Sequence, residues 1–491
     1  MTVSDLLNRE EGKTLEFKRD LSSPRGLLKT LVAFANTAGG KVVVGLDDRS
    51  RLPLGVEHPL DEEERICNLI ADSISPRIVP DIEMRTVNGK TLLVIEVFLS
   101  GSRPHWIKVE GPENGVYVRL GSTNRKADPE LIAELHRSSE GISFDELPMP
   151  ALSKEDLDMV TIKNIFRDHR QLSVKDLLTL HLLTREQGRL VPTRGAILLF
   201  GKERTHYFPD AWMQCGRFVG RDKAVIFDHI ELYDHLPQAV DSIMLFLKKH
   251  AMRGADFSDI RRKDVWSIPL GILREAVINA LIHADYSQRG APIRIAFFDD
   301  RIEVENPGVL VPGMTIEDMR QGVSKIRNHV IARVFRELGL IEQWGSGVPR
   351  MFSDAEEQGL PAPEIEEIGM RLRFIVPLAQ PFDPGKNGLR SSTGKFFKPA
   401  SGAQSRAQSR AQSRDVLMAL SDTPLSAAEL TQVLGLDTKT GAFKRTIKRL
   451  LEQSLIAYTI PDKPNSRLQK YRLTPEGQAA LSSDLHSKGN P

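Results

Sequence analysis

The sequence predicts a multidomain α+β protein, and three observations carry the prediction. Its 491 residues exceed what one hydrophobic core organises, so three or four domains are expected. Strand-like runs and helix-period stretches alternate through residues 1–380. Beyond them, residues 381–414 lose apolar content and gain Gly, Ser and basic residues, as a flexible linker ahead of a further domain does.

The composition, 40% hydrophobic and 27% charged, is that of an ordinary soluble globular chain. Cys67 and Cys215 stand far apart, which suits a reducing compartment and argues against a disulfide scaffold or a Cys-based zinc site. The opening "MTVSDLLNREEGK" has no apolar core of a signal peptide, and no run of eighteen apolar residues follows, so a cytoplasmic protein without a membrane span is expected.

In residues 1–140, "TLEFKR" reads as a strand with Leu15 and Phe17 on one face and Glu16 and Lys18 on the other. "KVVVGL" (41–46) is its buried neighbour, and "TLLVIEVFL" (91–99) a further strand. Glu11, Glu16 and Asp47, with Asp48 as substitute, are the residue types that jointly hold a divalent metal against a phosphodiester, and Lys18 would neutralise a phosphate oxygen. The same residues also read as an exposed strand face and an Asp-Asp turn. Packing accounts for His105 and Trp106.

Residues 141–254 form an expected α/β connecting domain, with "GAILLFG" (195–201) as a buried strand and "LPQAVDSIMLFLKKH" (236–250) as a helix. Residues 255–380 open with "GILREAVINALIHADYSQRG" (271–290), apolar at helical spacing except for Glu275 and Asn279, which share one face. An Asn carbonyl there can ligate Mg²⁺, and a Glu one turn earlier can orient and deprotonate water. Isolated Glu-x-x-x-Asn pairs are common in helices, so context decides. "PIRIAFFDDRIEVENPG" (292–308) reads as a hairpin, "SKIRNHVIARVF" (324–335) as a nucleotide-covering lid bearing Lys325 and Arg327, and "EQWGSGVPRM" (342–351) supplies Gly345 and Gly347. Glycines so spaced let backbone amides approach phosphate oxygens. A P-loop pattern is absent from "GAILLFGKE".

The linker repeats "AQSR" three times (403–414) and carries seven Lys/Arg and no acid between Gly385 and Arg414. Residues 415–482 begin with a capping box, Ser426 and Glu429. A second helix follows, with Phe443, Ile447, Leu450 and Leu451 as its apolar stripe and Lys444, Arg445, Lys448 and Arg449 opposite. Two strands within 455–474 would be a wing, and residues 483–491 a tail. This order suits helix-turn-helix DNA binding, or a basic helix packed in a protein-interaction domain.

Three resemblances sharpen these readings. "REAVINALIHADYS", "DDRIEVENPG" and "WGSGVPR" together resemble the GHKL ATPase family, in its divergent bacterial branch, over 255–380. This implies a mixed α/β sandwich that takes ATP and Mg²⁺, with Glu275 as general base and Asn279 as metal ligand. Asn306 stands where the family's adenine-binding Asp is usual, and Gly308, Lys325, Arg327, Gly345 and Gly347 complete the implied cofactor-binding set. Closure as a homo-oligomer is also implied. "EGKTLEFK", "AFANTAGGKVVVGLDD" and "GVYVRLGSTNRKA" (115–127) resemble the Schlafen AlbA-type domain over 1–140. In its RNA-cleaving members two Glu and an Asp form a metal centre, which maps to Glu11, Glu16 and Asp47, whereas most bacterial relatives are described as DNA-binding. Residues 415–482 resemble the winged helix-turn-helix ends of bacterial regulators.

The combination implies an ATP-binding, DNA-binding, transcriptional-regulator-like protein; chains of this make-up are sometimes labelled helicases. The alternative is an ATP-gated, metal-dependent nuclease acting on RNA or DNA, in phage defence. Convergence of Glu11, Glu16 and Asp47 on one point separates the two.

Overall fold

In a computed structural model of the chain, "LEFK" forms strand β1 (Leu15–Lys18), with Leu15 and Phe17 buried as the alternation requires. Helix α1 (Pro24–Thr37) follows, its proline in the first turn where no hydrogen bond is lost. It returns the chain to β2 (Gly40–Val44), which pairs with β1 in parallel, Glu16 opposite Val42. Helix α2 (Pro59–Ser73) leads to β3 (Asp81–Val87) and β4 (Lys90–Val97), antiparallel to each other, and the sheet order is β1-β2-β4-β3. Leu31, Val32, Phe34, Val42 and Ile95 lie in its core. The hairpin β5 (Tyr117–Leu120) and β6 (Thr123–Lys126) leads into helix α3 (Pro129–Glu140). Asp128 caps α3 by accepting from the Leu131 N–H, and Gly141 ends it in a left-handed conformation.

"GAILLFG" is not a strand. It forms helix α4 (Arg194–Phe200), started by Thr193, whose side chain accepts from the Ala196 N–H, and buried on every side. Nor does a domain boundary fall near residue 254. Strands β7 (Met213–Phe218) and β8 (Ile226–Leu232) belong to the same six-stranded sheet as the later hairpin, and helix α5 (Leu236–His250) packs into the same core. The edge made by β7 finds its partner downstream, in β9 (Ile293–Phe297), with Cys215 opposite Ile295 in a parallel pair. Between them lies helix α6 (Leu270–His283). Strand β10 (Arg301–Pro307), helices α7 (His329–Glu337) and α8 (Gly347–Glu357), and strands β11 (Glu364–Ile368) and β12 (Arg371–Pro377) complete the layer. The sheet order is β8-β7-β9-β10-β12-β11.

The chain divides into two units, 1–381 and 382–491. The structure describes residues 3–47, 50–169, 171–251, 253–256, 263–341 and 345–378 of the first. Of the second it describes 416–420, 423–426, 429–430, 433, 447, 450–451, 455–459 and 470–478. There the Ser426 N–H donates to Glu429 Oε2 at 2.7 Å, and the Glu429 N–H donates back to Ser426 Oγ at 3.3 Å. Strands β13 (Ile456–Tyr458) and β14 (Tyr471–Leu473) pair antiparallel beside a core of Val416, Leu430, Ile447 and Leu450. Lys444, Arg445, Lys448, Arg449 and the 381–414 linker lie outside the described residues, as does Asp48. Among the described residues no helix is long and apolar enough to cross a membrane.

Candidate nucleotide site

Helix α6 is buried on most of its circumference, by Ile272, Leu273, Ala276, Val277, Ala280 and Leu281 among others. Glu275, Asn279 and His283 recur every fourth residue as a polar strip, and all three line one cavity of about 340 Å³. Asn279 Nδ2 donates to Glu275 Oε1 at 3.1 Å, and Arg350 Nη2 lies 3.6 Å from Glu275 Oε2. The amide therefore spends one of its two N–H donors on the carboxylate and keeps Oδ1 as an acceptor.

Opposite the strip, α8 starts at Gly347. A Cβ there would fall 1.8 Å from Glu275 Oε1, so only glycine lets the helix start come this close to the carboxylate. Gly345, at φ +65°, is held in the left-handed region, and a Cβ on it would meet Gly322 O at 2.5 Å. Both glycines line the cavity together with Ser346 and Val348, so the start of α8 borders it. Among the described residues five cationic side chains, Lys325, Arg327, Arg333, Arg336 and Arg350, line it with one carboxylate, Glu275. That imbalance suits a polyanion. At the other end Leu310, Val311, Met314, Leu372 and Phe374 make an apolar wall. Here Asn306, 1% exposed, donates Nδ2 to Pro307 O at 3.0 Å, while its Oδ1 is buried without a partner. An unmatched buried acceptor costs about 1–3 kcal/mol, and an adenine amino group is a fitting donor. The lining thus suits a nucleotide.

Two expected cofactor residues do other work. Gly308 does not line the cavity; at φ +99° its Cβ position is 2.8 Å from Asp285 Cβ and 3.2 Å from Arg327 Cζ, so it serves close packing behind the wall. Arg327 is buried and its guanidinium is committed to Glu134 and to Val309 O, with Asp285 Oδ2 at 3.8 Å. Burial works against its charge, yet Glu134 and Asp285 hold it above its ordinary value. It is a structural cation in the wall, and the lid expected over 324–335 is largely helix α7 preceded by a loop. Lys325 is exposed and donates to Pro312 O at 3.2 Å. Burial, with Arg327 nearby, pushes the His283 imidazole down to about 4.

Sequence reading missed Arg333, Arg336 and Arg350. The first two stand three apart on the polar side of amphipathic α7, and Arg333 Nη1 is buried without a partner. That spacing on a helix beside a glycine segment was the available signal.

The N-terminal carboxylates each have partners of their own. Glu11 Oε1 accepts from the Phe17 N–H at 2.7 Å, closing the turn into β1. Glu16 is paired with Arg119 and, at 3.1 Å, with Lys18, the cation expected to meet nucleic acid. Asp47 Oδ1 accepts from Ser50 N and Oγ, a local turn. Arg119 is 1% exposed and also holds Gly12 O and Asn124. Among the described residues no group of three or more His, Cys, Asp or Glu could hold a metal ion, so the expected metal centre finds no support in this geometry.

Comparison with known proteins divides the chain in a related way. Residues 11–128 match the family model "Schlafen, AlbA_2". Residues 290–376 match "Putative ATP-dependent DNA helicase recG C-terminal", a span that begins after the helix bearing Glu275 and Asn279. Residues 411–474 match "Filamentation induced by cAMP protein Fic-like, C-terminal domain", where a winged helix was expected. Curated proteins returned no match. Among solved structures, the DIP2311 protein from Corynebacterium diphtheriae is 17% identical, with 96% of this chain and 98% of that one covered at a TM-score of 0.40. The N-terminal domain of a "Putative ATP-dependent DNA Helicase RecG-related Protein" from Nitrosomonas europaea is 26% identical, covering 26% of this chain and 94% of that one at a TM-score of 0.22. A Fic family protein from Desulfovibrio desulfuricans is 14% identical, covering 71% and 77% at a TM-score of 0.13. The chain therefore carries a Schlafen AlbA_2 domain and an ATPase-like domain of the RecG C-terminal kind, the make-up of an ATP-binding, nucleic-acid-related protein.

Proposed function

We propose that the chain is a nucleotide-responsive, DNA-binding regulator whose α6–α8 cavity binds Mg-ATP and hydrolyses it. One observation carries this reading: a single cavity gathers the Glu275–Asn279 pair, a glycine-started helix, five cationic side chains and an unpartnered Asn306 oxygen at an apolar end. Bound ATP would supply the phosphoanhydride and Mg²⁺ positive charge to offset its phosphates. Asn279 Oδ1 would hold the cation, while the α8 amides, Lys325, Arg333 and Arg336 bind phosphate oxygens. One oxygen of the Glu275 carboxylate would take the proton from water, with Asn279 and Arg350 fixing the carboxylate. Asn306 Oδ1 would accept from the base, with the Leu310 and Phe374 side of the cavity excluding water.

In this reading residues 1–140 and a winged helix over 415–482 grip nucleic acid, joined through the basic 381–414 linker, in a cytoplasmic homo-oligomer that regulates transcription. The test of the nucleotide site is Glu275→Gln. Calorimetry is expected to show ATP affinity within about threefold of the parent, and phosphate release to fall by 10²-fold or more, the range for loss of a general base. Retained turnover removes Glu275 from its role. For the C-terminal unit, Ala at Lys444, Arg445, Lys448 and Arg449 together is expected to weaken DNA binding. The slope of log affinity against log salt should flatten by about 0.9 for each phosphate that the variant no longer neutralises. An unchanged slope moves the DNA site elsewhere.

A further inference from the structure

A second cleft, of about 400 Å³, lies in the seam between α3 and the segment 311–329. Arg103, Arg137, Lys325 and Arg327 line it with two carboxylates, Glu134 and Asp285. Both carboxylates already face Arg327: Glu134 is hydrogen-bonded to it and Asp285 Oδ2 is 3.8 Å from it. Among the described residues no carboxylate then lies within ion-pair distance of Arg103, Arg137 or Lys325. Their hydrogen bonds and ring contacts are with neutral groups, while Glu134 and Asp285 act on Arg137 from beyond ion-pair distance. Arg103 donates to Ser100 O and to Ser138 O and Oγ, Lys325 to Pro312 O, and the Arg137 guanidinium lies 5.4 Å from the Phe144 ring centroid. Three polar atoms of this wall, Arg103 Nε, Arg327 Nε and Asn328 Oδ1, are buried without a partner.

Three cations from three separate elements, none of them in a close ion pair with a carboxylate, suit an oxyanion with more than two oxygens to share. A carboxylate offers two oxygens in one plane; a phosphate offers three or more around a tetrahedron, and guanidinium forks bind it well. We propose that the seam cleft binds a phosphate group, carried by a nucleic-acid backbone or by a free phosphorylated ligand. Lys325, Arg327 and His329 line both this cleft and the nucleotide cavity, so the two sites share a wall. The inference stands without the nucleotide reading, because Arg103 and Arg137 line the seam cleft and not the cavity.

The test uses the full chain and two probes, a short single-stranded oligonucleotide and inorganic pyrophosphate, with ATP binding followed alongside. Arg137→Gln is expected to weaken one probe about tenfold and leave ATP affinity unchanged, and Arg137→Lys to recover most of the loss. A weakened oligonucleotide, with a salt slope lower by about 0.7, assigns the phosphate to a nucleic-acid backbone. A weakened pyrophosphate with unchanged oligonucleotide assigns it to a free ligand. Arg103→Gln, at a side chain that lines the seam cleft and not the nucleotide cavity, is the second variant should Arg137→Gln fail to fold, and is expected to weaken the same probe and leave ATP affinity unchanged. Arg336→Gln, which touches the nucleotide cavity and not the seam cleft, should lower ATP affinity alone, so the nucleotide reading fails or survives separately. Both probes unchanged in Arg137→Gln, or neither bound by the parent chain, overturns the proposal.

Discussion

His283 sits one turn beyond Asn279 with its imidazole pushed down to about 4 by burial and by Arg327. Between about pH 4 and 6.5 the unfolded chain binds a proton there and the folded chain does not, so stability falls as pH drops through that window and is fully present above it. The shift sets an upper bound of roughly 3 kcal/mol on the effect. His283→Gln removes this titration and leaves the other groups in place. Urea midpoints at pH 7 and pH 5 should therefore separate further for the parent than for the variant; equal separations would show that His283 titrates normally. At this scale the sequence was legible where chemistry is local. Glu275 and Asn279 meet within one helix turn, and Gly347 adjoins them through a sterically forced approach. Arg327 was misread because its partner Glu134 lies 193 residues away, and no local pattern announces such a pair.

Among elements, the run 195–201 shows where pattern reading fails. A short, wholly apolar stretch is equally a buried strand or a buried helix, since neither leaves a polar face to set the period. The deciding group was Thr193, whose hydroxyl oxygen accepts from the Ala196 N–H at 3.1 Å while its hydroxyl donates to His181 O at 2.7 Å. Thr193→Ala is expected to cost about 1–2 kcal/mol, and Thr193→Ser to retain most of that, as read from denaturation midpoints. A cost near zero would mean that packing alone holds α4. The alternating strands β1, β9 and β10 and the helix α5 were legible because amphipathic and strand periods survive there. The parallel pairing of β7 with β9 was not, since it joins positions about eighty residues apart and only the folded sheet reveals it.

Across the whole first unit, the AlbA_2 and ATPase-like segments meet through polar contacts that reach the nucleotide cavity. Lys13, within the "EGKTLEFK" block, donates to Glu367 at 2.7 Å, and both side chains are nearly buried, at 10% and 5% exposure. Glu367 Oε1 also accepts from the N–H of Leu310, a residue of the cavity's apolar wall. The Gly313 N–H donates to Thr37 O at the end of α1, and Arg327 reaches Glu134 on α3. A ligand that moves Leu310 therefore bears on Lys13 and on the turn that Glu11, Gly12 and Arg119 build before β1. Lys13→Met strands Glu367 as an uncompensated buried charge and is expected to lower stability by about 3 kcal/mol or more. Lys13→Met with Glu367→Gln removes that charge but keeps an oxygen for the Leu310 N–H, so most of the stability should return. The double variant then tests communication at nearly native stability. If the pair links the domains, the change that ATP produces in nucleic-acid affinity should shrink, while the affinity for each ligand alone stays close to that of the parent. Full coupling in the stable double variant would assign communication to Arg327–Glu134 or Gly313–Thr37 instead, because those are the other described hydrogen bonds that tie the cavity wall to the N-terminal domain.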